Sequence, residues 1–527
     1  MSVDVLIKNG ILIDGLENTR YKANIVIDKG KIIKIGSSEL DVNAKEIIDA
    51  QGQIIAPGFI DTHTHSDLML LFNRQHSSAL YQGITTEIIG QDGLSYAPLG
   101  KENLSMYVKY LAGLNGNPPD INYNWSSVLE YRMKFNGNVA VNTAYQIPHG
   151  PLRLETVGMK DVLLDGKNLE KAKMILDKGL KEGAVALSTG LSYYPCSYSD
   201  TDELVELCKV VEANNSVFVT HIRTVFGKGY IDPVEETIEI AKRSGAKVHF
   251  SHFSTRPKNA GKVNELMDSI DKAYQSGVDV SLELYPYSNG SGYAVVFLPP
   301  WAVVDGYNKT LERLRDKNLR EYIIKGIEEN VVKCDGYFTH LKYNVQYIGM
   351  TFGQVAMDRK KSIPDMICDL LIEEELEIGF KAHPPFEDAK TWDRIDKDCL
   401  ELLSRPYYMV GSDSIPLGES PHPRAFGTFP KLLRLARENG FSLEKLINRM
   451  TKVPADRFGL KKRGSIEVGN AADIVIFDKN RVTDTATYKM PRSAPIGISY
   501  VLVNGKVAVR NEKTTGILAG KSLSREN

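Results

Sequence analysis

Apolar positions along the chain fall into two rhythms. Over residues 3–55 they alternate with polar ones, in 5–7, 24–27 and 31–36, with Asn-Gly and Lys-Gly turns at 9–10 and 29–30. That is the period of half-buried strands, and it returns at 464–478 and 499–507. Neither end has much area to bury alone, so the two are expected to combine in one small β-sandwich. The middle reads differently. Near-continuous apolar runs end at His63 and recur at 83–90, 138–145, 183–188, 216–221, 246–252, 278–285 and 407–413. Helical stretches such as 168–181, 202–213 and 263–276 fall between them. Eight strand–helix repeats with unbroken apolar strands predict parallel pairing and a (β/α)8 barrel. A doubly wound open sheet is the alternative, but no Gly-x-Gly-x-x-Gly follows the first strand. The expected organisation is α/β. Residues 1–56 and 464–512 form the β-sandwich, 57–463 the barrel, and 513–527 a tail whose polar end is expected to fray. An insertion at about 288–405 exceeds an ordinary connection and is expected to carry its own helices, as a lid.

The first barrel strand ends in His63-Thr64-His65. Residues i and i+2 of an extended segment face the same way, so both imidazoles can reach one point, as half of a divalent-metal site. A hydrogen-bonded histidine pair is the plain alternative. Further metal-ligand types stand at the carboxyl ends of other strands, where barrel enzymes place their sites: Asp92, His221, His252 and Asp413. Any one could be a structural hydrogen-bonder; six at matching positions are hard to explain by packing. The set suits one or two divalent cations, zinc first, with manganese or cobalt as alternatives.

Charge narrows the function further. With 65 basic against 66 acidic residues, no polybasic surface argues for nucleic acid or an anionic membrane. The first residues lack a secretory pattern, no apolar run has the length of a membrane span, and five cysteines (196, 208, 334, 368, 399) lack paired spacing. A cytoplasmic protein with no nucleic-acid or membrane partner is expected.

The runs APGFIDTHTH (56–65), STGLSYYP (188–195), YPY (285–287), HPRAFGTFP (422–430) and TKVPADRFGL (451–460) resemble the amidohydrolase superfamily, and within it the D-aminoacylases. The resemblance runs from about residue 50 to 510. It implies hydrolysis of N-acyl-D-amino acids, with a small N-acyl amino acid as the partner molecule and a metal as cofactor. It further implies that Arg424 binds the substrate carboxylate, that Tyr285 donates to the oxyanion, and that Ser291 lines the pocket. Asp413 is then placed to take a proton from the attacking water and hand it to the departing amine. Two departures stand out. Asp92 occupies the place of a metal-binding cysteine, in GQDGLS (90–95), and becomes the expected bridging ligand, since 184–190 holds no lysine. Glu87, in mid-strand, is a weaker candidate. Ser254 stands where the family has a carboxylate-binding lysine, with Arg256 or Lys258 as substitutes. Cys196, His149 and His383 have no assigned task. The rival readings are a cyclic-amide hydrolase resembling dihydroorotase or hydantoinase, a dipeptide hydrolase, and a relative that has lost catalysis.

Overall fold

The computed structural model describes residues 2–37, 40, 42–223, 232–331, 336–383 and 388–525; Cys334 lies outside them. Eight strands stand side by side in chain order: Phe59–Asp61, Ile84–Ile89, Asn142–Pro148, Ala186–Gly190, Val217–His221, Lys247–Phe250, Val280–Leu284 and Tyr408–Val410. All seven neighbour pairings are parallel. The first and last strands meet through Thr62 N donating to Val410 O (3.3 Å) and a parallel bridge between Thr64 and Ser414. Most of these strands are buried on both faces, inside by the barrel core and outside by helices. That double burial is why they read as unbroken apolar runs.

Two strands lie further along than their apolar runs suggest, the fourth at Ala186–Gly190 rather than 183–188 and, by more, the third. The third begins at Asn142, not 138. Val139, Ala140 and Val141 are fully buried, but their backbone bonds go elsewhere: Ala140 N to Arg74 O (2.9 Å), and Val139 O from Gly520 N (2.8 Å). Apolar sequence reports burial, and here burial extends beyond the sheet.

The two chain ends share one nine-stranded sheet. Ile54–Pro57 pairs antiparallel with Ile474–Phe477, and that ladder joins amino-terminal strands to carboxyl-terminal ones. Val5, Ile7, Ile25, Ile27, Ile474, Ile476 and Leu502 pack in one apolar cluster, so neither end need bury its face alone. The insertion carries helices, including Tyr307–Arg315, Lys317–Val331, Phe352–Arg359 and Ile363–Glu373. It also carries an antiparallel three-stranded sheet, Ser291–Tyr293, Ile378–Ala382 and Gly336–Leu341, which its sequence does not announce. These strands are short, and a register shift between Phe338 and His340 interrupts their alternation. Among the described residues no helix is long and apolar enough to cross a membrane.

The tail corrects an expectation. Ser522–Leu523 does not fray; it pairs in parallel with the third barrel strand. Arg132 Nη2 donates to Leu523 O (2.8 Å), Asn504 Nδ2 to Ala519 O (2.8 Å), and Gly137 N to Gly520 O (2.9 Å). On the tail the bonding groups are backbone carbonyls, so its polar composition carries no sign of them. Deleting residues 516–527 is expected to destabilise the fold by about 3 kcal/mol, several net hydrogen bonds at about 1 kcal/mol each. Denaturant unfolding of the truncated and full chains checks this; equal midpoints would make the strap dispensable.

Candidate metal centre

The six side chains expected to bind metal meet at the carboxyl end of the barrel. Asp92 Oδ2 stands 3.6 Å from His63 Nε2, 3.6 Å from His65 Nε2, 3.8 Å from His221 Nδ1 and 3.9 Å from His252 Nε2. Asp413 Oδ1 lies 3.6 Å from His63 Nε2 and 3.4 Å from His65 Nε2. Two donor groups emerge, His63–His65–Asp413 and His63–Asp92–His252, each with its ligand atoms within 4.8 Å of one another. Donors ~2.1 Å from one tetrahedral ion stand ~3.4 Å apart, so the spacing fits. His63 Nε2 and Asp92 Oδ1 are buried and have no hydrogen-bond partner among the described residues. Buried polar atoms are rarely left so, and His63 Nε2, 3.6 Å from both Asp92 Oδ2 and Asp413 Oδ1, faces the cluster as a ligand to a cation would.

Local backbone explains how the residues get there. Asp61 accepts from Ser412 N (2.8 Å) and Ser412 Oγ (2.5 Å), which locks strand one to strand eight. Asp413 N then donates to His63 O (2.8 Å), and His65 N to Ser414 O (2.8 Å). Asp92, His252 and Asp413 all adopt the left-handed backbone region, with φ of 55°, 37° and 51°. Non-glycine residues rarely do so, and strain of this kind collects at functional sites. At Gly411 a Cβ would stand 2.7 Å from both His63 Cβ and Glu283 Oε2, so only glycine lets the eighth strand pass this close.

Charge is arranged to suit. Burial opposes ionisation of Asp92, but His63, His252 and His65 outweigh it and hold the carboxyl well below its usual range. Burial also opposes the charge of Asp413, and Arg424 and His65 overcome it. His221 Nδ1 lies 2.8 Å from His252 Nε2. Burial, then His252, push the His221 pKa down to about 3, which leaves a neutral imidazole with a lone pair to give. His63 and His65 are sealed, whereas His221 and His252 are slightly exposed (12% and 15%), so the centre opens on their side.

The residues expected to handle substrate also gather here. Arg424 is fully buried, at the start of helix Arg424–Glu438, and so has no surface ion-pair role. Its Nη1 lies 2.7 Å from Asp413 Oδ2, its Nη2 donates to Ser291 Oγ (3.1 Å), and its Cζ stands 4.8 Å from the Tyr285 ring centre. The Tyr285 and His252 ring centres are 6.4 Å apart. A Cβ on Gly290 would stand 3.3 Å from Arg424 Nη1 and 3.5 Å from the Tyr285 hydroxyl, so both polar groups border one small space.

Glu283 is the residue that strand-end reasoning misses. It accepts from His63 Nδ1 and Thr62 Oγ1, and lies 3.1 Å from His249 Nε2. Fixing Nδ1 as the donor aims the Nε2 lone pair of His63 into the cluster. An acid inside the apolar run Leu282-Glu283-Leu284 was the available signal. Glu87 is not part of the centre: it accepts from Ser66 Oγ (2.5 Å) and His76 Nε2 (2.7 Å). His149 likewise faces elsewhere, toward Thr189 Oγ1 (3.0 Å) and Glu203 Oε1 (2.8 Å), while Arg153 Nη1 reaches Glu203 Oε2 at 2.5 Å.

A family model described as "Amidohydrolase family" matches residues 46–509. The chain belongs to the amidohydrolase family. It is 31% identical over 530 residues to D-aminoacylase of Alcaligenes xylosoxydans xylosoxydans, covering 99% of this chain and 98% of that protein. It is 30% identical to N-acyl-D-glutamate deacylase of the same organism, covering 95% and 93%. A solved N-acyl-D-glutamate deacylase from Bordetella bronchiseptica, complexed with zinc and a phosphonate mimic of the tetrahedral intermediate, superposes with a TM-score of 0.83 at 28% identity, over 100% of both chains. The amidohydrolase barrel with its split sheet is therefore shared along the whole chain.

Two outcomes are expected from the groups around the centre. Glu283→Gln should lower affinity for a divalent ion about 10- to 100-fold by loosening His63, read by metal titration of stripped protein; unchanged affinity would leave Glu283 a packing residue. The second concerns pH. Burial opposes a charge on His149, but Cys196 and Glu203 lift its pKa from 6.5 to about 9. Its stabilisation is therefore complete below 6.5 and lost as pH rises through about 9. Burial raises Glu203, yet His149 and Arg153 bring it below 4.5, so its share is present above 4.5 and lost as pH falls. Melting curves of His149→Gln should show a flatter alkaline decline than wild type between about pH 7 and 10; parallel declines would refute the linkage.

Proposed function

We propose that this protein is a metal-dependent hydrolase that cleaves N-acyl-D-amino acids to a carboxylate and a free D-amino acid. One observation carries the reading: Asp413 turns Oδ1 to the histidine cluster and Oδ2 to a buried arginine. A carboxylate there joins a site for a cation to a site for an anion, as hydrolysis beside a carboxylate requires. The ligands would be His63, His65, Asp92, His221, His252 and Asp413, holding one or two divalent ions, zinc first and manganese or cobalt next. Asp92 Oδ2, at similar distances from four imidazoles, supports a bridging role. Carboxylate is a harder ligand than thiolate, which favours tolerance of manganese. When bound, such an ion would lower the pKa of a water molecule and polarise the amide carbonyl.

The chain's own groups supply the rest. Arg424 keeps Asp413 ionised and ready to take the proton of the attacking water at Oδ1, then to return it to the leaving nitrogen. The Tyr285 hydroxyl has no hydrogen bond among the described residues and donates to the carbonyl oxygen as its charge develops. Arg424 and Ser291 seat the substrate carboxylate, for which Arg424 Nε has no hydrogen-bond partner among the described residues. The D preference follows from the relatives. The cytoplasmic assignment is supported by the four described cysteines, all buried and free.

The test is amine release from matched N-acetyl-D- and N-acetyl-L-amino acids by metal-stripped protein reloaded with zinc, manganese or cobalt. Metal-dependent release from the D series alone is expected. Silence on both series by folded, metal-loaded protein would overturn the reading in favour of cyclic amides or dipeptides.

A further inference from the structure

Four residues beyond His252, the loop after the sixth barrel strand carries a second arginine beside the centre. Arg256 is partly buried, and its Cζ lies 6.0 Å from the centre of the Tyr285 ring, the ring that Arg424 also faces. Among the described residues its guanidinium has neither a hydrogen bond nor an ion pair, only this ring contact. Two described acids beside the loop are engaged. Asp398 pairs with Arg394 (2.7 Å) and accepts from Thr255 Oγ1 (2.8 Å) and Gly261 N (2.7 Å), and Asp396 pairs with Lys431 (3.0 Å). The two bonds to Asp398 pin the loop to helix Ala389–Leu403, and Arg256 N donating to Asn259 Oδ1 (2.6 Å) fixes the loop's own turn. The guanidinium is thus held on a fixed backbone, partly buried, with no counter-charge among the described residues. Such a group costs free energy unless an anion completes it. Lys258, the other cation of the loop, is exposed.

We propose that Arg256 reads the substrate side chain, and that the preferred substrates are N-acyl-D-amino acids bearing a second carboxylate there. The inference rests on the deacylase reading above and extends it to substrate class. An α-carboxylate is one carbon from the scissile nitrogen, so its cation must stand beside the proton-transfer group; Arg424, 2.7 Å from Asp413, does. A side-chain carboxylate reaches further out. Arg256 shares the Tyr285 ring with Arg424, so both cations flank the amine half of the substrate. The acyl half then falls to other residues beside the centre, such as Tyr193, which packs on His221 with ring centres 4.7 Å apart. A planar guanidinium meets a carboxylate with two hydrogen bonds, which discriminates strongly against a side chain that offers none.

The experiment compares kcat/KM for N-acetyl-D-aspartate, N-acetyl-D-glutamate, N-acetyl-D-leucine and N-succinyl-D-leucine in the metal-loaded wild type, Arg256→Met and Arg256→Lys. Wild type is expected to favour an acidic side chain over leucine by about 10- to 100-fold, the range of one charge-assisted hydrogen-bonded pair. The carboxylate moved to the succinyl group should bring no such gain. In Arg256→Met the acidic-to-leucine ratio should fall toward one, mainly through KM, and Arg256→Lys should restore part of it. Melting curves and metal content separate a specificity change from a folding defect. A wild type that favours leucine overturns the inference, as does an equal loss on all D substrates in Arg256→Met, which would assign Arg256 to the α-carboxylate. Activity on no D substrate at all overturns the deacylase reading itself, a distinct result.

Discussion

Asp92 has to stay ionised where water is almost excluded, and that electrostatic demand organises much of what surrounds it. A buried carboxylate without compensation costs several kcal/mol and would take up a proton. Four imidazole nitrogens lie within 4 Å of its Oδ2; protonated they offset its charge, and neutral they bring lone pairs that need an electrophile beside it. Each group is unstable in its place without the others. The centre is therefore best understood as one coupled unit rather than six separate ligands, and a cation is the component that satisfies all of them together.

Holding that unit depends on how the barrel closes. The first and eighth strands are more than three hundred residues apart in sequence, yet Asp61, Ser412, His63 and Asp413 interlock their ends through three hydrogen bonds. Glu283, on the neighbouring seventh strand, then fixes the His63 ring from behind. The left-handed backbone at Asp92, His252 and Asp413 shows that these positions are forced by their surroundings rather than chosen by local preference. Rigid strand ends and short strained turns give an accuracy that a mobile loop would not.

Much of this was legible beforehand. The eight apolar runs correspond to the eight barrel strands because double burial removes polar residues from both faces. His63, His65, His221, His252 and Asp413 could be picked out because ligand chemistry restricts residue type and the barrel restricts position. Asp92 was readable for the same reason, despite the family's cysteine. Less could be read where backbone groups carry the structure. The strap at Ser522–Leu523 and the sheet of the insertion depend on main-chain hydrogen bonds, which are nearly blind to side-chain identity. Glu283 was missed because it stands inside a strand rather than at its end.

The sequence by itself determined the strand periods, the near balance of charge and the kinds of ligand that the chain carries. These are local properties, written residue by residue through burial and side-chain chemistry. Tertiary structure alone decided that Arg424 is buried against Asp413 and that Arg256, beside the same tyrosine ring, has no ionic partner among the described residues. It also decided that His221 and His252 form the open side of the centre. Whether a charge is paired, and how much water reaches it, depends on groups hundreds of residues away along the chain, and only folding brings them within the few ångströms over which such interactions are strong.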